Sequence, residues 1–367
     1  MAVYKIFPEK DATLYSEYPE MNSGIDQILE ATTADAVSGG TPVTSRFVIK
    51  FPQSQIQDIL SNYATNNPAA YLRLFMSKVE GLSQETLIYC YPVSGSWANG
   101  TGTYLDSPAV ENGVSWKYRT ASGSGAWLTS GFIFGSTGSW SGDNAGGGTW
   151  YTNLTYAQSA SLQYRSDFDL NLDVTATTLA WYSSSLVNDG FIIKQEDSAE
   201  FSTDSSKKVE LKYFSIDTNT IYPPQLEIKW DDYSYNTGSL SQISTADCII
   251  SLPNNTGEYQ PTSIKRFRLD VRPQYPTRTF STSSVYTTNY VLPEASYWSI
   301  KDLDTDEVVV DFDTVYTKVS ADSNGSYFDV YMNGLEPERY YKILIKTTID
   351  GTTKIIDNDY YFKVING

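Results

Sequence analysis

The chain has 367 residues, 40% of them apolar and 14% aromatic, which is ample material for packed cores and excludes a disordered chain. Its formal charge of -17 opposes any surface that would neutralise nucleic-acid phosphates, and it works equally against an electrostatic hold on anionic lipid. It has no histidine, which excludes a Ser-His-Asp triad, a Cys-His dyad and His-ligated zinc.

The opening MAVYKIFPEK lacks the apolar core and small-residue cleavage site of a secretory signal, so export by the general route is not expected. The stretch KDATLYSEYPEMNSGIDQILEA, residues 10–31, sets a strand at Asp11–Tyr15 and another at Ile28–Glu30, with Pro19, Asn22 and Gly24 between them. Short runs rich in Val, Ile, Tyr, Phe and Thr then recur: Arg46–Phe51, Tyr71–Phe75, Leu87–Tyr91, Leu226–Trp230 and Tyr341–Ile345. Several alternate apolar with polar, so each buries one face, and the pattern is that of an all-β protein. Two segments are helical by spacing. Ile56, Ile59, Leu60 and Tyr63 form one helix face after Pro52, and Leu179, Ala180 and Trp181 follow Asp173 as N-cap and stop at Ser183–Ser185.

Residues 94–165 are rich in Gly and Ser and carry Trp97, Trp116, Trp127, Trp140 and Trp150, which reads as long loops joining sandwich strands. The longest apolar stretches, such as Gly131–Phe134, are far too short to span a bilayer, so no membrane insertion is expected. Polar residues 233–240 read as a linker between a domain at 1–232 and a second at 241–367. Cys90 and Cys248 fall in different domains and are expected to be free, buried thiols.

Asp11–Thr13 followed by Pro19, Asn22 and Gly24 resembles the start of a DNRLRE-type domain. Further matches follow in order: Ser45–Phe51 with its leading Arg46, Ala70–Leu74, Ser96–Trp97 with Gly100–Gly102, Asp173–Val174–Thr175 leading to Trp181, Asn188–Phe191 and Tyr222–Ile228. That family is a jelly-roll-like module of carbohydrate-binding proteins, extracellular enzymes and virion proteins, so the resemblance implies architecture more than role. Residues 119–164 are expanded relative to it. Later in the chain, Leu335, Pro337 and Tyr341 resemble the Leu-x-Pro-x-x-x-Tyr corner of fibronectin type III and immunoglobulin-like sandwiches, which implies that Tyr341 packs its ring on the core while its hydroxyl bonds the connecting loop. Tyr275–Phe280 and Tyr297–Asp302 are similar to segments in structural proteins of tailed marine phages. The fold class expected is therefore all-β, a jelly-roll-like sandwich followed by an immunoglobulin-like one.

Trp97, Trp116 and Trp181 are read as core plugs, Trp97 and Trp181 matching framework positions of the DNRLRE resemblance. Trp127, Trp140 and Trp150 are the candidates for contact with a glycan or a protein partner, since an aromatic face can stack on a sugar. Asp302–Asp306 alternates carboxylates as a calcium loop does, but Glu307 stands where the glycine of such a loop belongs, so an acidic hairpin turn is the simpler reading. A structural calcium under the first sandwich is the one cofactor left open, without nominated ligands. No pair among the 43 Asp and Glu stands out as catalytic, and no phosphate-binding loop is present, so the chain is read as a non-enzyme. The function expected is that of a virion structural protein of a tailed phage, made in the host cytoplasm and docked on other virion proteins in the neck, tail, baseplate or fibre attachment. A homo-oligomer in a symmetric assembly is expected with it. The alternative is an adhesin that recognises a host-surface polysaccharide.

Overall fold

The computed structural model describes residues 2–35, 42–82, 85–127, 134–136, 146–164, 168–276 and 288–366. Its contacts divide into two units: residues 6–63 with 69–227, and residues 228–367 with 1–5 and 64–68.

The first part of the chain runs through β1 (Ala2–Ile6), β2 (Lys10–Tyr15), β3 (Ile28–Glu30), β4 (Thr33–Ala34), β5 (Val43–Lys50), α1 (Gln53–Asn62), β6 (Ala69–Leu74), β7 (Met76–Glu80) and β8 (Thr86–Pro92). It continues through β9 (Phe134–Ser136), β10 (Thr149–Tyr151), β11 (Gln158–Leu162), β12 (Leu170–Asp173), α2 (Thr175–Tyr182), β13 (Phe191–Gln195), β14 (Glu210–Phe214) and β15 (Gln225–Trp230). One sheet is antiparallel in the order β2-β5-β13-β8-β11. Its middle strands are covered on both faces, so Val43–Lys50 and Phe191–Gln195 are buried at both parities rather than alternating. Opposite lie β3-β14-β7 and β15-β6-β12, in which β6 and β7 are successive pieces of one line interrupted at Phe75. Along the chain the eight strand lines β3, β5, β6–β7, β8, β11, β12, β13 and β14–β15 change sheet at every step except between β8 and β11, which pair within one sheet, and this is the jelly-roll arrangement.

Both helices form at the expected spacing. Ile56, Ile59 and Leu60 of α1 are buried, as are Ala180 and Trp181 of α2. The Asp173 carboxylate accepts the Thr175 amide at 3.0 Å, as an N-terminal cap would, although α2 itself begins one residue after Val174.

The Pro19–Gly24 stretch anchors the long loop after β8. Buried Asn22 donates from Nδ2 to the carbonyls of Asn99 and Val114 at 2.7 and 2.8 Å and accepts the Gly102 amide at 2.8 Å. Gly100 has φ +81°, and a Cβ there would stand 2.2 Å from Asn22 Oδ1, so this close approach requires glycine.

The second unit is built from β16 (Cys248–Ser251), β17 (Glu258–Tyr259), β18 (Ile264–Pro273), β19 (Ser296–Asp302), β20 (Val308–Val310), β21 (Ser320–Asp322), β22 (Gly325–Tyr331), β23 (Tyr340–Ile349), β24 (Thr352–Ile356) and β25 (Tyr361–Val364). One sheet reads β16-β18-β22-β21 and the other β17-β25-β23-β19-β20, with β17 parallel to β25 and β24 a second partner of β23. This is the immunoglobulin-like pairing, with β23 at the centre of the second sheet between β25 and β19. Trp298 on β19 is buried and stacks on Phe328 of β22 at 5.2 Å, bridging the two sheets where an antibody domain has a tryptophan over its disulfide. Here no disulfide exists: Cys90 is buried and free, and Cys248 is free and half-buried. Residues 234–236 belong to this unit rather than bridging freely to it. The Ala321 amide donates to Ser234 O at 2.9 Å, the Asn236 amide to Ala321 O at 3.0 Å and the Tyr235 hydroxyl to Leu292 O at 2.7 Å, so the backbone of the polar stretch is satisfied by the edge of β21.

At the corner before β23, Leu335 and Tyr341 are buried, Pro337 is exposed, and the Tyr341 hydroxyl donates to Glu336 O at 3.0 Å. Burial pushes the phenol well above its ordinary range. Tyr341→Phe is expected to lower stability by about 1 kcal/mol, the net worth of one such hydrogen bond. Chemical denaturation checks this, and an unchanged midpoint would show that the ring alone pins the corner.

Candidate functional site

Two of the three candidate tryptophans prove to be interior. Trp127 is 2% exposed and Trp150 5%, so neither offers a face to a sugar, and this corrects the expectation of a stacking platform at those two. Trp140 lies outside the described residues, as do residues 128–133 and 137–145 around it and residues 277–280 of the Tyr275–Phe280 segment. Trp97, Trp116, Trp127 and Trp150 share one cluster with Leu14, Val48, Val114 and Ile192. Trp127 Nε1 donates to Ser115 O at 2.9 Å and Trp97 Nε1 to Asp189 O at 2.8 Å, so both indoles also fasten loop backbone.

Beneath these rings sits an ion cluster. Arg46 on β5 grips Glu200 in a fork, Nε to Oε1 at 2.8 Å and Nη2 to Oε2 at 2.7 Å. Lys194 on β13 reaches the same carboxylate at 2.9 Å, and the side chains of all three are at most 1% exposed. Arg46 Nη1 donates to Gly147 O at 2.8 Å; Lys194 donates to Gln195 O at 2.7 Å and to the exposed Asp197 at 2.6 Å. The Arg46 guanidinium lies 4.9 Å from the Trp116 ring and 5.1 Å from that of Trp150. A Cβ at Gly147, whose φ is +75°, would stand 2.6 Å from the Trp116 ring, so glycine lets the loop close over the ions. With its carboxylate gripped by two cations and its cations bonded to carbonyls, the cluster fastens the Gly/Trp-rich loop to the sheet and has nothing left for chemistry. Arg46 was legible as the charge leading an otherwise apolar strand. Lys194 and Glu200 were not, since isolated charges in a chain with 43 Asp and Glu read as surface.

Asp302–Asp306 forms the hairpin turn between β19 and β20. Asp302 Oδ1 accepts the amides of Asp304 and Thr305 at 2.9 and 3.0 Å, and Oδ2 accepts Arg339 Nε at 2.5 Å, so both oxygens serve the turn. Among the described residues, no three acidic or cysteine side chains group as metal ligands.

The surface best suited to contact lies on β18 and β22. Along β18, Phe267, Leu269 and Val271 point inward, which turns Arg266 and Arg268 to the outer face. Arg266 forks onto Asp329 at 2.9 and 2.8 Å, and Arg268 onto Asp322 at 2.9 and 2.7 Å. Tyr327 lies between them, its ring centre 4.1 Å from the Arg266 guanidinium and 5.4 Å from that of Arg268. The Asp329 hydrogen bonds push Arg266 further above its ordinary range. Arginine and tyrosine dominate protein contact surfaces, and here their planar groups are already ordered, which cuts the entropy lost on docking. These residues were not singled out in the sequence; only the cross-strand register of β18 and β22 reveals that they stack.

No family model matches the chain, and no curated protein matches it. Among solved structures it is similar to a DUF4785 family protein from Legionella pneumophila, at 8% identity over 99% of this chain, with a TM-score of 0.18. The chain spans 62% of that protein's length, and at this score the likeness carries no argument about fold or role.

Proposed function

We propose that the chain is a non-enzymatic structural protein of a tailed-phage virion, docked by protein contacts in the neck, tail, baseplate or fibre attachment. The observation that carries this reading is the pre-ordered Arg266-Tyr327-Arg268 ladder on an immunoglobulin-like sandwich. The resemblances of residues 10–230 to a module of virion proteins and of Tyr297–Asp302 to tailed-phage structural proteins support it. The partner is a neighbouring virion protein, with copies of this chain placed by the particle's symmetry.

In the producing culture, density-purified particles are expected to carry the chain at a fixed copy number by quantitative mass spectrometry. Arg266→Ala combined with Tyr327→Ala is expected to cut incorporation about tenfold or more while the variant stays folded, as loss of a central contact would. Abundant soluble protein missing from the particle band would overturn the reading.

A further inference from the structure

The first sandwich has an open cleft of about 230 Å³ that none of the described tryptophans lines. One wall is aromatic: Tyr104, from the long loop, is 42% exposed, and its ring centre stands 4.6 Å from that of Tyr15 at the end of β2. Tyr18 braces Tyr104 edge-on from 6.0 Å, and the Asp26 carboxylate accepts the Tyr104 amide at 3.1 Å to each oxygen. The ring is thus held in place while much of it stays open to solvent.

The facing wall is a row of polar groups clamped to one another. Lys212 on β14 bonds Glu30 at 3.0 Å and Glu210 at 3.1 Å, and Lys78 holds the other Glu210 oxygen at 2.9 Å. Burial alone would push Glu210 up, but the Lys78 and Lys212 hydrogen bonds outweigh it and hold its carboxyl below the usual range. Carboxylates fixed in this way keep free lone pairs in set directions.

We infer that this cleft binds a neutral sugar residue of a polysaccharide. An exposed aromatic face beside a fixed row of acceptors matches the apolar C–H face and the vicinal hydroxyls of a pyranose. The volume suits one or two sugar rings and not an extended peptide. Four carboxylates, Glu17, Glu30, Asp35 and Glu210, line the cleft, and they outnumber Lys212 in its wall together with Lys78 on Glu210 and Lys208 on Asp35, so a uronic or sulfated sugar would meet repulsion. This site stands apart from the assembly surface on β18 and β22, and each can fail without the other.

The test is affinity electrophoresis of the full chain through gels holding β-glucan, mannan, xylan or galactan, with polygalacturonate alongside. Retardation by at least one neutral polysaccharide is expected, unchanged by added salt. Tyr104→Ala and Glu30→Gln should each weaken it about tenfold or more, whereas Tyr104→Phe, which keeps the ring, should retain it. Melting temperatures confirm that the variants fold, and Tyr361→Ala, exposed on the second sandwich, is the control that should bind normally. Four results would overturn the proposal: no retardation by any neutral polysaccharide, retardation that survives both Tyr104→Ala and Glu30→Gln, preference for polygalacturonate, or salt-sensitive displacement by spermidine, which would mark a cation site instead.

Discussion

Glu200→Gln is expected to destabilise the first sandwich by about 3–5 kcal/mol, the usual result of removing one partner from a buried ion cluster. The loss follows from what stays behind: Arg46 and Lys194 would remain interior, covered by Trp116 and Trp150, with no anion between them. A triple replacement, Arg46→Met with Lys194→Met and Glu200→Leu, is expected to recover most of that stability, because the Coulomb gain of a buried pair roughly offsets its desolvation. Denaturant titration followed by tryptophan emission reads both variants. A loss below about 1 kcal/mol for Glu200→Gln would mean that water reaches the cluster and screens it.

Asp11→Asn is expected to act in the opposite direction, and only at high pH. Asp11 is buried on β2; Oδ2 accepts the Ile216 amide at 2.8 Å and Oδ1 has no partner. Burial, with Asp217 nearby and against the pull of that amide, pushes its carboxyl up from 3.8 to about 8. A raised carboxyl holds its proton more tightly folded than unfolded, so its stabilisation is complete below about pH 4 and is lost as the pH rises through about 8. A shift of that size corresponds to roughly 6 kcal/mol across the whole window as an upper bound, of which roughly 5 is lost by pH 8. Asparagine does not titrate, but its buried amide hydrogens cost about 1–3 kcal/mol when unpaired. At pH 8 the variant should therefore be more stable than the parent by about 2–4 kcal/mol, and at pH 4 slightly less stable. Unfolding midpoints at pH 4, 6 and 8 decide it: parallel curves for the two proteins would show that Asp11 is ionised in the fold.

Period and turn chemistry made most of the architecture legible. The strands at Arg46–Phe51, Tyr71–Phe75, Leu87–Tyr91, Leu226–Trp230 and Tyr341–Ile345 all fall on observed strands or their flanks, and of the helix face Ile56-Ile59-Leu60-Tyr63 the first three are buried, while Tyr63 lies past the end of α1 at its C-cap and is exposed. These features are local, written in neighbours a few residues apart. What depended on distant partners was not legible. Loop tryptophans are ambiguous between surface and core because the residue type suits both, and only the closing of Gly146–Gly148 over Arg46 places Trp150 inside. The polar stretch 233–240 carries no apolar period, yet its backbone pairs with Ala321 and its Tyr235 hydroxyl reaches Leu292 O, both far along the chain. Neither cleft wall could be foreseen, since Tyr15, Glu30, Tyr104 and Lys212 meet only when the long loop folds back across β3 and β14.

The grouping of residues 1–5 with the second unit bears on how the protein is made. Val3 sits in the core cluster with Phe267, Trp298, Phe328 and Phe362. Those neighbours leave the ribosome hundreds of residues after it, by which time the jelly roll encoded between them has had the opportunity to fold. Residues 1–5 must therefore wait, without their final neighbours, while the jelly roll that follows them is made. The immunoglobulin-like sandwich is thus completed by segments encoded on both sides of the jelly roll, and no single cut in the gene would release it whole.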